Sequence, residues 1–220
     1  MKKADTPMPR QYTALDNFLI HVDTGVRTIF GAPKITERKN PADAQTEAEL
    51  SDADRELAGR LMRINHAGEV SAQGLYEGQA LTARLPEVRE QMSRAAEEEN
   101  DHLVWCEKRC KELGTHVSYL SPFWYLGSLT IGAVAGKLGD KWSLGFVSET
   151  EHQVVRHLDS HLQQLSPEDL KSRAILEQMK EDELHHATIA ERAGAAKLPH
   201  AVKLAMKMSS KIMTGGAYYI

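Results

Sequence analysis

At 220 residues, 41% hydrophobic and 26% charged, the chain is long enough for one well-packed soluble domain, and it is too apolar to stay unfolded. A net charge of −4 leaves no sequence-wide basic footprint, so nucleic acid is not an expected partner. Two cysteines four apart on one helical face, Cys106 and Cys110, suit small buried hydrophobes better than a disulfide, and a reducing cytoplasm fits them.

The opening MKKADTPMPRQYTALDN has no secretory apolar core, and it is too acidic for a mitochondrial transit peptide, which favours a bacterial protein. Leu15, Phe18, Leu19, Val22, Val26 and Ile29 then form the stripe of a short amphipathic helix that Gly31 and Pro33 end. Residues 34–50 read as a polar linker, dividing the chain into an N-terminal part, 1–50, and a bundle domain, 51–220. Ser51 with Asp54 begins a long helix to about residue 83, and Leu85-Pro86 breaks it before a second helix reaching Leu113-Gly114. Pro122 opens a third segment, interrupted by Gly139-Asp140, and a fourth helix covers about 141–165. Ser166-Pro167-Glu168-Asp169 caps a fifth that ends near Gly194, and a last helix follows Pro199. No run alternates with the strand period. The predicted fold class is therefore all-α, an antiparallel helical bundle.

The second helix raises a difficulty, because its apolar stripe runs Val88, Met92, Ala95, Glu99, His102, Cys106, Cys110, Leu113. A carboxylate and an imidazole in a face that must be buried cost several kcal/mol unless something pairs with them. The pattern recurs near the other end, where EDELHH at 181–186 holds Glu183-x-x-His186 and a competing Asp182-x-x-His185. Upstream of each pair stands another glutamate: Glu69 lies 30 residues before Glu99, and Glu151 lies 32 before Glu183. Two half-chains thus repeat Glu followed by Glu-x-x-His. Helical phase selects Glu69 beside Met62, His66, Gln73 and Tyr76, and places Glu77 off that face. It selects Glu151 over Glu149, which falls on the polar side, and Glu183 with His186 beside Leu176, Met179 and Ala190.

A glutamate from each of two helices plus Glu-x-x-His from each of two others is the ligand set of di-iron and di-manganese carboxylate bundles. Residues i and i+3 project from adjacent turns onto one metal, and carboxylates bridge two, a role expected here of Glu151. Four clustered carboxylates also need compensating charge, which two divalent ions supply. Oxygen and imidazole donors without thiolate suit iron or manganese better than structural zinc. His66, His152, His157, His161 and His185 are expected to support the site or to lie exposed.

At RINHAGEVSAQGLYEGQ (63–79), EEENDHL (97–103), GFVSETEHQV (145–154) and MKEDELHHA (179–187) the sequence resembles the demethoxyubiquinone hydroxylase family of ubiquinone biosynthesis. The resemblance covers most of the chain from about residue 50. It implies a ferritin-like four-helix bundle with extra membrane-facing helices, two iron ions, and the ligands Glu69, Glu99, His102, Glu151, Glu183 and His186, the six that helical phase selects. It also implies a monooxygenase that uses O₂ and a reductant to hydroxylate the ring of a polyprenylated demethoxyquinol, with other ubiquinone-biosynthesis proteins as partners. A ferroxidase or iron-binding protein of the same fold and a non-catalytic membrane-associated scaffold are the rival readings.

Residues 118–136, SYLSPFWYLGSLTIGAVAG, carry no charge over nineteen positions, but Pro122, Gly127, Gly132 and Gly136 interrupt them. An interfacial segment is expected, with Phe123, Trp124, Tyr125 and Trp142 at headgroup depth, rather than a membrane span or a core helix. Lys203, Lys207 and Lys211 beside Leu204, Met208 and Ile212 form a basic amphipathic pattern suited to an anionic surface. The expected location is the cytoplasmic face of the cell membrane, as a peripheral protein.

Overall fold

A computed structural model describes residues 13–220 apart from 32, 34 and 37 and the side chains of Ala14, Asn17 and Phe18. The targeting reading of residues 1–12 and the place of Phe18 in its stripe lie outside the described residues. Among those described there is no strand. The elements are α1 (Ala14–Phe30), a 3-10 turn (Pro41–Ala44), α2 (Asp52–Thr82), α3 (Pro86–Glu112), α4 (Ser121–Leu138), α5 (Asp140–Gln164), α6 (Leu170–Arg192) and α7 (His200–Tyr219). Local chemistry sets most of these ends. Thr13 and Asp16 close a capping box on α1, and Gly31 ends it in the left-handed region at φ 78°. The cap of α6 is Asp169 rather than Ser166, because its carboxylate accepts from Ser172 N while also holding the buried Arg109.

Helices α2, α3, α5 and α6 form an antiparallel bundle. Gln73 donates to Asn100 and Arg63 to the His116 carbonyl, fixing α2 against α3. Gln79 donates to the Ser143 carbonyl and His161 pairs with Asn65, fixing α2 against α5. Lys180 meets Asp159, and Ser148 meets Glu191, fixing α5 against α6. Since α3 and α5 each run against α2, they are parallel, and the chain must return along the whole bundle between them. Helix α4 makes that return, lying along α2.

The close approach of α4 to α2 explains glycines that the sequence presents as interruptions. A Cβ on Gly78 would stand well inside van der Waals contact with the Leu129 carbonyl oxygen and 2.7 Å from Ala133 N, and one on Gly132 would stand 3.0 Å from the Leu75 carbonyl carbon. Residues 121–138 are thus one continuous helix with a small-residue face turned inward. Its outward face carries Phe123, Leu126, Val134 and Leu138, each more than half exposed. The aromatic cluster divides by helical phase: Tyr125 is buried against Gly25 and Gly74, Trp124 is half-buried against Gly216, and only Phe123 and Trp142 are exposed. The headgroup placement of Trp124 and Tyr125 is corrected accordingly. No helix among the described residues is long and apolar enough to cross a membrane.

The apolar stripe of α1 also points outward at Leu15, Leu19, Val22 and Val26, while Gly25, Thr28 and Ile29 face the bundle. Helix α7 exposes Leu204, Met208 and Ile212, and its Ala217 packs on Ile64 and Ala67 of α2. Lys203 does not stand free beside them, because it pairs with Glu149 at 2.6 Å. The stretch read as a linker is not loose either. Ala42 is buried in the core with Leu61, Trp105 and Leu176, and Glu47 accepts from Arg109 and Lys171. Thr36 and residues 38–47 therefore form a strap over the seam between α3 and α6.

Two apolar layers fill the bundle. Met62, Trp105, Cys106, Cys110, Leu158 and Met179 form one, with both cysteines free and buried. Tyr76, Val88, Met92, Leu144, Val147 and Ala190 form the other. The polar residues discussed next lie between them.

Candidate metal centre

Glu69, Glu99, His102, Glu151, Glu183 and His186 are all 5% exposed or less. Each of Glu69, Glu99, His102 and Glu183 offers an atom within 4.8 Å of the others. Glu99 lies between the two imidazoles, 3.0 Å from His102 Nδ1 through one oxygen and 3.2 Å from His186 Nδ1 through the other. Glu183 does the same at 3.3 and 3.4 Å. Glu69 stands 3.5 Å from His102 on one side, and Glu151, outside the tight group of four, accepts a hydrogen bond from the Tyr76 hydroxyl on the other. The sequence repeat thus becomes an approximate two-fold arrangement. Glu99 and Glu183 each face both imidazoles, whereas Glu69 and Glu151 each stand to one side. The reason is that an i, i+3 pair spans one helical turn toward the bundle axis, whereas a lone glutamate reaches in from the side.

Both histidines turn Nδ1 inward and donate Nε2–H outward to a carboxylate of the opposite repeat. His102 donates to Asp182 at 2.9 Å, and His186 donates to Glu98 at 2.8 Å. Asp182 and Glu98 are the residues immediately before the two Glu-x-x-His glutamates, and sequence reasoning missed this role. The signal was present, because both repeats begin with a pair of acidic residues, but helical phase turns the first of each away from its own stripe. Asp182 therefore is not a competing inward ligand, and His185 is exposed. Of the other histidines, His66 is buried, His161 pairs with Asn65 at 2.9 Å, His157 packs on His161, and His152 pairs with Glu191 at the surface. Glu77, off the main face, meets His21 of α1.

Without metal the cluster shares protons. Burial and the Glu99 charge push the Glu69 carboxyl well above its usual range, and burial with Glu183 and Glu99 does the same to Glu151. Burial opposes charge on the histidines, but the surrounding carboxylates outweigh it, raising His186 to about 12 and holding His102 well above its ordinary value. Against burial, His102 keeps Glu99 ionised. Burial and nearby carboxylates raise the Tyr76 phenol, so it stays a donor.

This donor set fits metal. Glu99 Oε1, Glu183 Oε2 and His186 Nδ1 are buried and make no hydrogen bond, although they converge on the centre. Cations in place of the shared protons would leave all four carboxylates ionised, turn both Nδ1 atoms into ligands, and keep each Nε2–H on its outer carboxylate. A cavity of about 330 Å³ reaches this layer from the side. Its mouth holds Gln91, Arg94 and His185, its walls include Met92 and Val147, and Tyr76 and His186 line its inner part.

Comparison with known proteins agrees with this geometry. The family model for ubiquinone biosynthesis protein COQ7 matches residues 56–217, which contain all six candidate ligands. The 3-demethoxyubiquinol 3-hydroxylase of Nitrosococcus oceani is 59% identical over 96% of this chain and 99% of its own. Those of Chromobacterium violaceum and Pseudomonas fluorescens are 53% and 54% identical, over 94% and 96% of this chain and 100% and 98% of theirs. The chain belongs to the ubiquinone biosynthesis protein COQ7 family.

Proposed function

We infer that this chain is a 3-demethoxyubiquinol 3-hydroxylase, a monooxygenase of ubiquinone biosynthesis. Near full-length identity above half to relatives of that name supports the reaction. The observation that carries the chemistry is the buried pair of Glu-x-x-His repeats, with two carboxylates that each face both imidazoles and both Nδ1 atoms turned inward, an arrangement in which Glu99 and Glu183 would be the shared ligands. We assign Glu69, Glu99, His102, Glu151, Glu183 and His186 as ligands of two iron ions in a ferritin-like bundle, with α4 as the single long crossover. Bound there, iron supplies the redox chemistry that activates O₂ with electrons from a reductant.

The protein's own residues do the rest. Tyr76 holds the Glu151 carboxylate in place, and Asp182 and Glu98 fix the ring planes of His102 and His186. Met92, Val147, Ile189 and Ala190 give the cavity an apolar lining that excludes water from the inner end while admitting an aromatic ring. A non-catalytic scaffold would have no use for four buried carboxylates, each costly to bury unpaired.

The substrate's polyprenyl tail makes the membrane part of the reading necessary. Each methylene drawn into water costs about 0.8 kcal/mol, so the enzyme must meet the lipid at its surface. The exposed apolar faces of α1, α4 and α7, with Lys207 and Lys211 beside the last, support peripheral attachment at the cytoplasmic face of the cell membrane. The test is a single turnover of purified protein with ferrous iron, ¹⁸O₂ and a demethoxyquinol. One labelled oxygen in the ring is expected, and an unaltered quinol with consumed O₂ would instead favour a ferroxidase.

A further inference from the structure

The two halves of the centre match in their inner residues but not in what holds their outer carboxylates. Among the described residues, the Glu98 carboxylate that supports His186 has Arg94 near it, at 3.6 Å and largely solvent-exposed, while the Glu98 backbone carbonyl accepts a long contact of 3.5 Å from Arg38 Nη2. Asp182, the support of His102, is clamped. Arg38 from the strap donates Nη1–H to Asp182 at 2.8 Å and Nε–H to the buried Asp101 at 2.9 Å, tying α6 to α3 across the seam. Asp101 is in turn held by the Thr36 backbone at 2.8 Å and by its hydroxyl, and Gln178 donates to the other oxygen of Asp182 at 3.0 Å. The guanidinium also sits 5.1 Å from the centre of the Trp105 ring, which itself leans on His102 at 5.4 Å. Two oxygens on different helices held by one rigid fork is a task for arginine, since an ammonium cannot reproduce the spacing.

We propose that Arg38, from a segment outside the family match, is a positioning residue of the metal centre: it fixes Asp182 as the acceptor of His102 Nε2–H and so sets the orientation of that one ligand. The strap is thereby part of the site: it clamps the carboxylate that supports His102, whereas toward the His186 half Arg38 reaches the Glu98 backbone carbonyl, at 3.5 Å, and leaves the Glu98 carboxylate unclamped beside the cavity. This rests on the reading of His102 as a ligand, so the test has one arm without metal and one with it.

In the metal-free full chain, the His102 Nε2–H proton should give a slowly exchanging downfield NMR resonance, assigned by its loss in His102→Gln. Arg38→Gln and, independently, Asp101→Asn should broaden or abolish it, and Arg94→Gln should not. Arg38→Lys should restore it only in part. In anaerobic iron titrations against a chelator, Arg38→Gln should weaken one of two irons by about 10- to 100-fold and leave the other unchanged. A resonance that persists in both Arg38→Gln and Asp101→Asn overturns the proposal, and so does equal weakening of both irons. If the wild-type chain takes up no iron, the assigned ligands are wrong, and the metal-free resonance still decides whether Arg38 positions His102.

Discussion

Replacing Gly78 by alanine tests the packing that puts α4 along α2. In an open helix the change would gain about 1 kcal/mol from propensity. At this position the new Cβ meets Leu129 O and C and Ala133 N, all backbone atoms that no rotamer change can move. Restoring ordinary contact requires the helices to part by about 1 Å, which forfeits a quarter to a half of each dispersion contact along the seam. Overpacking of this kind costs about 3 kcal/mol at the upper end, so the net loss is about 2 kcal/mol, or roughly 4–8 °C in Tm for a chain of this size. Gly68, on the same helix with nothing within 4 Å of its added Cβ, is the control: alanine there should gain up to about 1 kcal/mol. Urea unfolding followed by circular dichroism, in the metal-free state so that ligand linkage does not enter, compares the two. Gly78→Ala as stable as Gly68→Ala would refute the close approach of α4.

Glu151→Ala should lower bound iron and abolish hydroxylation, while Glu149→Ala, about 200° away on the helix and paired with Lys203, should leave iron content and turnover near wild type; metal analysis beside turnover decides, and the reverse order would mean a wrong helical phase. Burial holds the His66 imidazole down at about 4, so the unfolded chain takes up that proton first, and stability present above about pH 6.5 should fall as pH drops toward 4. His66→Leu should remove this component, worth roughly 2 kcal/mol at pH 5, and equal urea-midpoint slopes against pH in both proteins would contradict it. Phe123→Ser with Leu126→Ser should cut sedimentation with vesicles at least tenfold, each lost side chain removing about 1.5 kcal/mol or more of apolar transfer. Lys207→Glu with Lys211→Glu should weaken binding to anionic vesicles at low salt only; wild-type protein that stays in solution with such vesicles would end the membrane reading.

The helices and the inward residues of the centre were legible in the sequence because both depend on a local period. Proline, glycine and capping side chains act within one turn, and a face that must be buried shows at i, i+3 and i+4, so Glu99 and His102 stood out by being polar where Met92 and Cys106 are apolar. The choice of Glu151 over Glu149, and of Glu183 with His186 over Asp182 with His185, needed nothing more. What periodicity cannot express is which face meets which neighbour. The placement of Glu99 and Glu183 against both histidines, and the service of Asp182 and Glu98 to the opposite histidine, exist only once two antiparallel pairs close on one axis. Glycines in α4 look like breaks until α2 lies against them, and the aromatic run resolves into buried Tyr125 and exposed Phe123 only when that face is chosen. The strap is the clearest case. Residues 36–47 are too polar to announce a core role, and Arg38 gains one only because tertiary folding brings Asp101 and Asp182, 81 positions apart in sequence, within reach of one guanidinium.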